Sequence, residues 1–273
     1  MKKLFALMMA LSMTLALAAC GGTEDPAPEG EKAPEETPEE TIVYAVEAGS
    51  AGEAVALEKG FEINSVLSQA DALMEVQSGT SDAAIIDSLM AGAMVGEGTS
   101  YPDLKTTDQQ LTEELYGVGC RKGSDLASFI NSVLSEAYAD GTMKAVAETY
   151  GVQAALLEQE AGVEFVASES DSDVAYIQEK GTLLVGMTEF QPMDYKDDNG
   201  NWIGFDADMA KLVAEKLGVD IEFLVLDWDS KLMELDSKNV DVLWNGMTLT
   251  DAALESMECT NAYCNNAQVV VTK

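Results

Sequence analysis

From residue 42 onward the chain alternates short apolar runs with segments whose apolar residues recur every three or four positions, the patterns of strands and of amphipathic helices. TIVYAVEAGS, FEINSV and DAAIID predict strands, and SQADALMEVQSG and SLMAGAMVGEG predict helices among them. Two more helices are expected in LASFINSVLSEAYADG and TMKAVAETYGV. In the first, Leu126, Phe129, Ile130 and Val133 fall at i, i+3, i+4 and i+7, one buried stripe. The alternation then repeats: TLLVGM a strand, YKDDNGNWIGF a hairpin turning at Asn199-Gly200, DADMAKLVAEKLG a helix, DIEFLVLD a strand, SKLMELDSKN a helix and VDVLWNG a strand. Asp206 is expected to cap its helix, with Met209, Leu212, Val213 and Leu217 on the inner face and Gly218 closing it in a left-handed conformation. Both stretches are α/β.

The first 41 residues follow neither pattern. Residues 1–20 have two lysines and then an apolar run, a secretory signal, and its end, Leu17-Ala18-Ala19-Cys20, resembles a bacterial lipobox. Cys20 would then carry the lipid that anchors the mature protein to the membrane from outside. Residues 21–41 hold four of the chain's six prolines and eight acids against one lysine, an extended acidic linker that cannot fold alone. A second linker is expected at 158–175.

Composition removes several chemistries. The formal net charge of -34 argues against nucleic acid and anionic lipid surfaces as partners. With no histidine in the chain, Ser-His, Cys-His and His-metal arrangements are excluded. Asp197, Asn199 and Gly200 have calcium-loop spacing, but Tyr195 stands at the first ligand position, so no metal is expected, and no cofactor. Cys259 and Cys264 are either a local disulfide or two small buried thiols, and Cys120 is expected as a free buried thiol.

TLLVGMTEFQPMDYKDDNGNWIGFDADMAKLVAEKLG followed by DWDSKLMELDSKNVDVLWNGMTLT resembles lobe 1 of the family 3 extracellular solute-binding proteins, amino-acid receptors of ABC importers. VEAGSAGEAVALEKG through ADALMEVQSGTSDAAIIDS to YGVGCRKGSDL and ADGTMKAVAETYGV is similar to that family's lobe 2, second hinge strand and closing helices. The order is reversed relative to the family, as in a circular permutant. The resemblance implies a two-lobe, type II periplasmic-binding-protein-like α/β fold, each lobe a sheet flanked by helices. Lobe 2 would span 42–115, a hinge strand 116–121, closing helices on lobe 1 122–157, lobe 1 176–267 and a second hinge strand 268–273. That last strand is expected to dock beside 115–120, leaving one covalent crossing between the lobes.

The same resemblance implies a small polar ligand, an amino acid with neutral or cationic types favoured, held in the cleft and passed to an ABC permease at the outer face of the cell membrane. Phe190 and Trp228 match the aromatic positions that sandwich the ligand, and Asp87 the carboxylate that receives its α-ammonium. Gly246 and Thr248 match backbone and hydroxyl contacts, and Ser50, Ala51 and Gly52 a helix N-terminus facing the ligand carboxylate. Glu47 and Glu189 fall near pocket positions. Where the family carries a carboxylate-clamping arginine this chain has Ala253, and its one arginine, Arg121, lies elsewhere. A binding protein and no enzyme is expected; the alternatives are a dehydratase-like enzyme on the same fold, with a cleft acid such as Glu189 as general acid, and a sensory ligand-binding module.

Overall fold

The computed structural model describes residues 41–273; the signal segment, Cys20 and the acidic linker up to residue 40 lie outside the described residues. In chain order the elements begin β1 (Val43–Glu47), α1 (Ala51–Glu58), β2 (Glu62–Val66), α2 (Gln69–Ser78), β3 (Ala83–Asp87), α3 (Ser88–Met94), β4 (Lys105–Gln110) and β5 (Glu114–Cys120). The helices α4 (Leu126–Asp140), α5 (Thr142–Tyr150) and α6 (Asp173–Lys180) come next, then β6 (Thr182–Met187), β7 (Tyr195–Lys196), β8 (Trp202–Ile203), α7 (Phe205–Leu217) and β9 (Asp220–Val225). The chain closes with α8 (Lys231–Asp236), β10 (Val242–Thr248), α9 (Asp251–Ser256), β11 (Glu258–Cys259), β12 (Cys264–Asn266) and β13 (Gln268–Thr272).

Two main sheets result. One runs β2-β1-β3-β13-β4, and the other runs β11-β5-β10-β6-β9 with β12 also on β5. The expected α/β architecture of two helix-flanked sheets is therefore observed. Strands β1, β2 and β3 are parallel, as are β6, β9 and β10 where they meet, so each sheet gathers its strand ends and helix starts along one edge. Ala84, Ile85 and Ile86 of β3 and Val185 and Val242 of the second sheet are fully or almost fully buried, which is why these strands read as continuous apolar runs.

The hinge expectation fails in an instructive way. β13 does not lie beside 115–120; Val269, Val270 and Val271 pair with Ile86, Ile85 and Ala84 inside the first sheet, where burial on both faces suits three β-branched residues. The neighbours of β5 are β10, β11 and β12. Among the described residues the chain therefore passes between the sheets twice, at 111–113 and at Ala267, and both crossings are covalent. They are also joined to each other: Leu111 N donates to Gln268 O (2.8 Å) and Gln268 N to Thr112 Oγ1 (2.8 Å). The stretch 116–121 is accordingly part of the second sheet and not itself the crossing.

The 158–175 segment separates no lobes, since the residues on both sides of it build the second sheet. It is fastened along α4: Ser135 Oγ donates to Glu160 O (2.6 Å), Ser128 Oγ accepts from Val166 N, and Asp125 accepts from Ser168 N and Ser172 Oγ. Its last residues, from Asp173, already belong to α6.

Asp206 is no cap. Gly204, at φ 128, takes the N-cap position of α7, where a Cβ would stand 2.1 Å from Met193 O, and Asp206 turns inward. Gly218 does close the helix, at φ 76. Cys259 and Cys264 are free thiols and do not pair. Their partners on β5, Gly119 and Tyr116, are three residues apart along that strand, which sets the two cysteines about 10 Å from each other, too far for a disulfide.

Candidate functional site

A cavity of ≈ 270 Å³ lies between the facing edges of the two sheets. From the first sheet come Glu47 at the end of β1, Gly49, Ser50 and Ala51 at the start of α1, Asp87 at the end of β3, and Gln69 and Gln268. The second contributes Trp228, Lys231, Asn245 to Thr248 at the end of β10, and Ala253 on α9. Strand ends and helix starts converge on it because parallel strands deliver them to one edge.

The residues expected in the site divide. Glu47, Ser50, Ala51, Asp87, Trp228, Gly246 and Thr248 all line the cavity. Phe190, Gly52 and Glu189 do not. Phe190 is buried under the floor, edge-on to Tyr116 at 6.4 Å, and would meet a Cβ on Gly246 at 2.5 Å. Gly52 faces its own sheet, with Gln268 Oε1 and Ile85 O nearest to where a Cβ would be. Glu189, next to Phe190 in the chain, points the other way into solvent.

Asp87 is held in a network of amides. Its Oδ1 accepts from Gln268 Nε2 (2.8 Å) and from Asn266 Nδ2, its Oδ2 from Gln69 Nε2, and its own N–H donates to Gln69 Oε1 (2.8 Å). Asn266, Gln268 and the Thr248 hydroxyl also donate to Glu114 Oε2, at 2.9, 3.0 and 3.0 Å. Burial and the charge of Glu114 push the Asp87 carboxyl up to about 7 against these hydrogen bonds. Burial, reinforced by Asp87, pushes Glu47 up to about 8, with Thr188, Lys231 and Gln69 pulling the other way.

Lys231 was not legible as a site residue. Its Nζ crosses from the second sheet's side to donate to Gly49 O (2.7 Å), donates also to Trp228 O (3.2 Å), and stands 5.0 Å from the Trp228 ring centre. Burial lowers its pKa, opposed by Glu47, Asp229 and Glu53. Gly49 packs so closely here that a Cβ would fall 2.5 Å from Asp229 Cα. The α1 N-terminus beside it already carries a carboxylate: Glu53 Oε2 accepts from Gly49 N (2.8 Å) while Ser50 Oγ accepts from Glu53 N (3.1 Å). No arginine reaches the cavity. Arg121 is bound instead to Asp173 and Asp241, at 3.0 and 3.4 Å.

Beneath the floor, Asp206 Oδ2 accepts from Gly246 N (2.6 Å) and the Tyr263 hydroxyl (2.8 Å), and Asp194 Oδ2 accepts from Asn245 Nδ2 (2.9 Å). Both carboxyls are raised, first by burial and, for Asp194, by the charge of Asp206. Together they hold the β10 bulge, with Gly246 at φ 53, against which a ligand would rest. Among the described residues no acidic or cysteine cluster is arranged to hold a metal ion, and no helix is long and apolar enough to cross a membrane.

Residues 183–273 match the family model of bacterial extracellular solute-binding proteins, family 3. The L-cystine-binding protein TcyJ of Escherichia coli (strain K12) is 33% identical over 99 residues, 36% of this chain and 37% of that protein. The arginine-binding extracellular protein ArtP of Bacillus subtilis (strain 168) is 33% identical over 95 residues, 34% of this chain and 37% of its own length. Cyclohexadienyl dehydratase of Pseudomonas aeruginosa is 32% identical over 80 residues, covering 29% of this chain and 30% of the enzyme. Among solved structures, the arginine-bound form of domain 1 from TmArgBP is 30% identical, with 34% of this chain and 84% of that one aligned at a TM-score of 0.29. The chain thus spans between about a third and two fifths of the length of the first curated relatives it matches. The likeness to the bacterial extracellular solute-binding proteins, family 3, is carried by residues 183–273, a third of the chain.

Proposed function

We propose that the protein captures a small amino-acid-type solute by closing its two lobes around the cavity, and delivers it to an ABC permease from a lipid-anchored position outside the membrane. One observation carries this reading: the cavity walls come from both lobes and are latched across by the Lys231–Gly49 hydrogen bond. At ≈ 270 Å³ the cavity is below the ~300–1,000 Å³ of drug-sized sites, which limits the occupant to a small molecule. Two acids in its walls favour a neutral or cationic solute over an acidic one. Relatives named for binding cystine and arginine support the same class.

In this reading the two lobes are exchanged in order relative to the family, and both crossings between them survive the exchange, so the hinge stays two-stranded. The dehydratase alternative calls for a cleft acid such as Glu189 as general acid, and Glu189 itself is exposed outside the cavity. Membrane attachment is carried by Cys20: detergent partitioning should send the wild type, but not Cys20→Ala, to the detergent phase. A thermal-shift screen of amino acids and small amines, followed by calorimetry, tests the capture itself. Stabilisation by at least one of them with one site per chain is expected. A screen without a single stabilising compound would remove the reading.

A further inference from the structure

Two carboxylates line the cavity, and they are in opposite situations. Asp87 has three amide donors on its two oxygens, from Gln69, Asn266 and Gln268, out of about four acceptor sites that a carboxylate offers. Glu47 is only 3% exposed, and its Oε1 is buried at the cavity without a hydrogen-bond partner among the described residues. An unpaired buried acceptor is costly and is retained where something else supplies the donor.

The charges around Glu47 leave that donor missing. From the first sheet it faces Asp87 and Gln69; from the second, Thr188 and Lys231. Gln69 and Thr188 approach it as donors, but the Thr188 hydroxyl goes to Asn245 Oδ1 (2.8 Å) and the Gln69 amide to Asp87, which leaves Oε1 unpaired. Glu114 stands behind Asp87, and Glu53 and Asp229 act on Lys231. Lys231 is the one cation lining the cavity among the described residues, and its hydrogen bonds go to Gly49 O and Trp228 O. Once both carboxylates are ionised they are set against one ammonium, so the ionised cavity lacks one positive charge beside the one free acceptor.

We propose that Glu47, and not Asp87, receives a cationic group of the ligand, and that the cavity selects small amines or guanidines whose body lies against Trp228. This rests on the solute-capture reading and narrows its substrate class. Asp87 then serves as the anchor of the amide network that shapes the wall. Burial supports the assignment from another side: a Glu47 carboxyl held up to about 8 is mostly protonated in the empty cavity at neutral pH. A cation that docks there ionises it, and the proton leaves to solvent. Binding is therefore coupled to release of nearly one proton at pH 7 and of almost none a unit or more above Glu47's raised pKa.

Titration calorimetry in buffers of different ionisation enthalpy tests this, with L-arginine, L-citrulline, whose side chain is neutral while its α-ammonium remains, and methylguanidine as probes. Arginine should bind at least about tenfold tighter than citrulline and release protons at pH 7 but not at pH 9. Glu47→Gln should erase both the preference and the proton release, and a melting temperature at pH 5 close to that of the wild type shows that the protein is still folded. Asp87→Asn should weaken arginine and citrulline alike. A preference that survives Glu47→Gln, or that Asp87→Asn alone removes, overturns the assignment. Citrulline binding as tightly as arginine removes the cation site and keeps the capture of amino acids. Methylguanidine binding that Glu47→Gln abolishes, with neither amino acid bound, keeps the site and removes the amino-acid reading. No binding of any probe overturns the cation site, while the capture reading falls only if the wider screen also finds no stabilising compound.

Discussion

Gly49→Ala separates closure from folding. At Gly49, φ is +72 and an added Cβ would lie 2.5 Å from Asp229 Cα and 2.9 Å from Asp229 N, backbone atoms of the opposite lobe that cannot swing aside. Restoring ordinary carbon–carbon contact, ~3.5 Å, moves the lobes apart by about 1 Å. The Lys231 Nζ to Gly49 O distance then grows from 2.7 Å to about 3.7 Å, past hydrogen-bond range. Losing a charge-assisted bond costs about 1.5–3 kcal/mol, on the order of ten- to a hundredfold in affinity for any ligand that needs the closed cavity. The left-handed backbone itself costs an alanine about 1–2 kcal/mol in either state. Gly60→Ala supplies the control, because Gly60 has φ +70 and nothing within 4 Å of an added Cβ. Both variants should lose a similar amount of thermal stability, about 2–4 °C per kcal/mol for a domain of this size, when no ligand is present. Calorimetry with the ligand from the screen should show weakened binding in Gly49→Ala alone. Equal affinities for the two variants would refute closure across Gly49.

The remaining predictions concern the groups around and beneath the cavity. Glu47→Gln should stabilise the unliganded protein increasingly as pH rises from 5 to 8: the native carboxyl holds its proton to about 8, above its ordinary 4.5, so wild-type stability falls across that window while the glutamine is indifferent to it. Melting temperatures of the two proteins at pH 5 and pH 8 check this, and a constant difference would contradict it. Tyr263→Phe removes the hydroxyl donated to buried Asp206 and should cost about 1.5–3 kcal/mol in urea unfolding. Arg121→Ala leaves Asp173 with only Lys238 at 3.9 Å, while Asp241 keeps Lys180, and should cost on the order of 3 kcal/mol of stability, yet leave ligand affinity unchanged, because the ion pair stands outside the cavity lining.

The buried strands and helices were legible because hydrophobic period reports burial on one face or two, whereas exposed β4 and α9 and the short β11 and β12 carry no such period and α6 begins in the expected linker. Partners across space were not. VVVT reads as a strand whichever sheet it joins, so its place between β3 and β4 had no local signal. Asp206 before an apolar stripe reads as a cap, but Gly204 can adopt the φ of 128 that the approach to Met193 O demands, and so displaces it by two residues. The cavity positions came mostly from resemblance, since Glu47, Asp87 and Gly246 lie far apart in sequence. Phe190 and Glu189 show the limit of that route: adjacent residues in one turn face opposite ways, and neither faces the cavity. Lys231 gave no warning at all, because a lysine opening a short helix in an acidic chain looks like a solvated surface charge until the fold carries it to Gly49.

The central claim, that the two lobes close on a small solute, is tested most directly by the distance between them. Spin labels on exposed Glu58 of the first lobe and Glu215 of the second, read by pulsed dipolar spectroscopy, report it. A single short, narrow distribution with the screened ligand, and a broader and longer one without it, is the predicted result. Identical distributions in the presence of saturating ligand would contradict closure as the mode of capture.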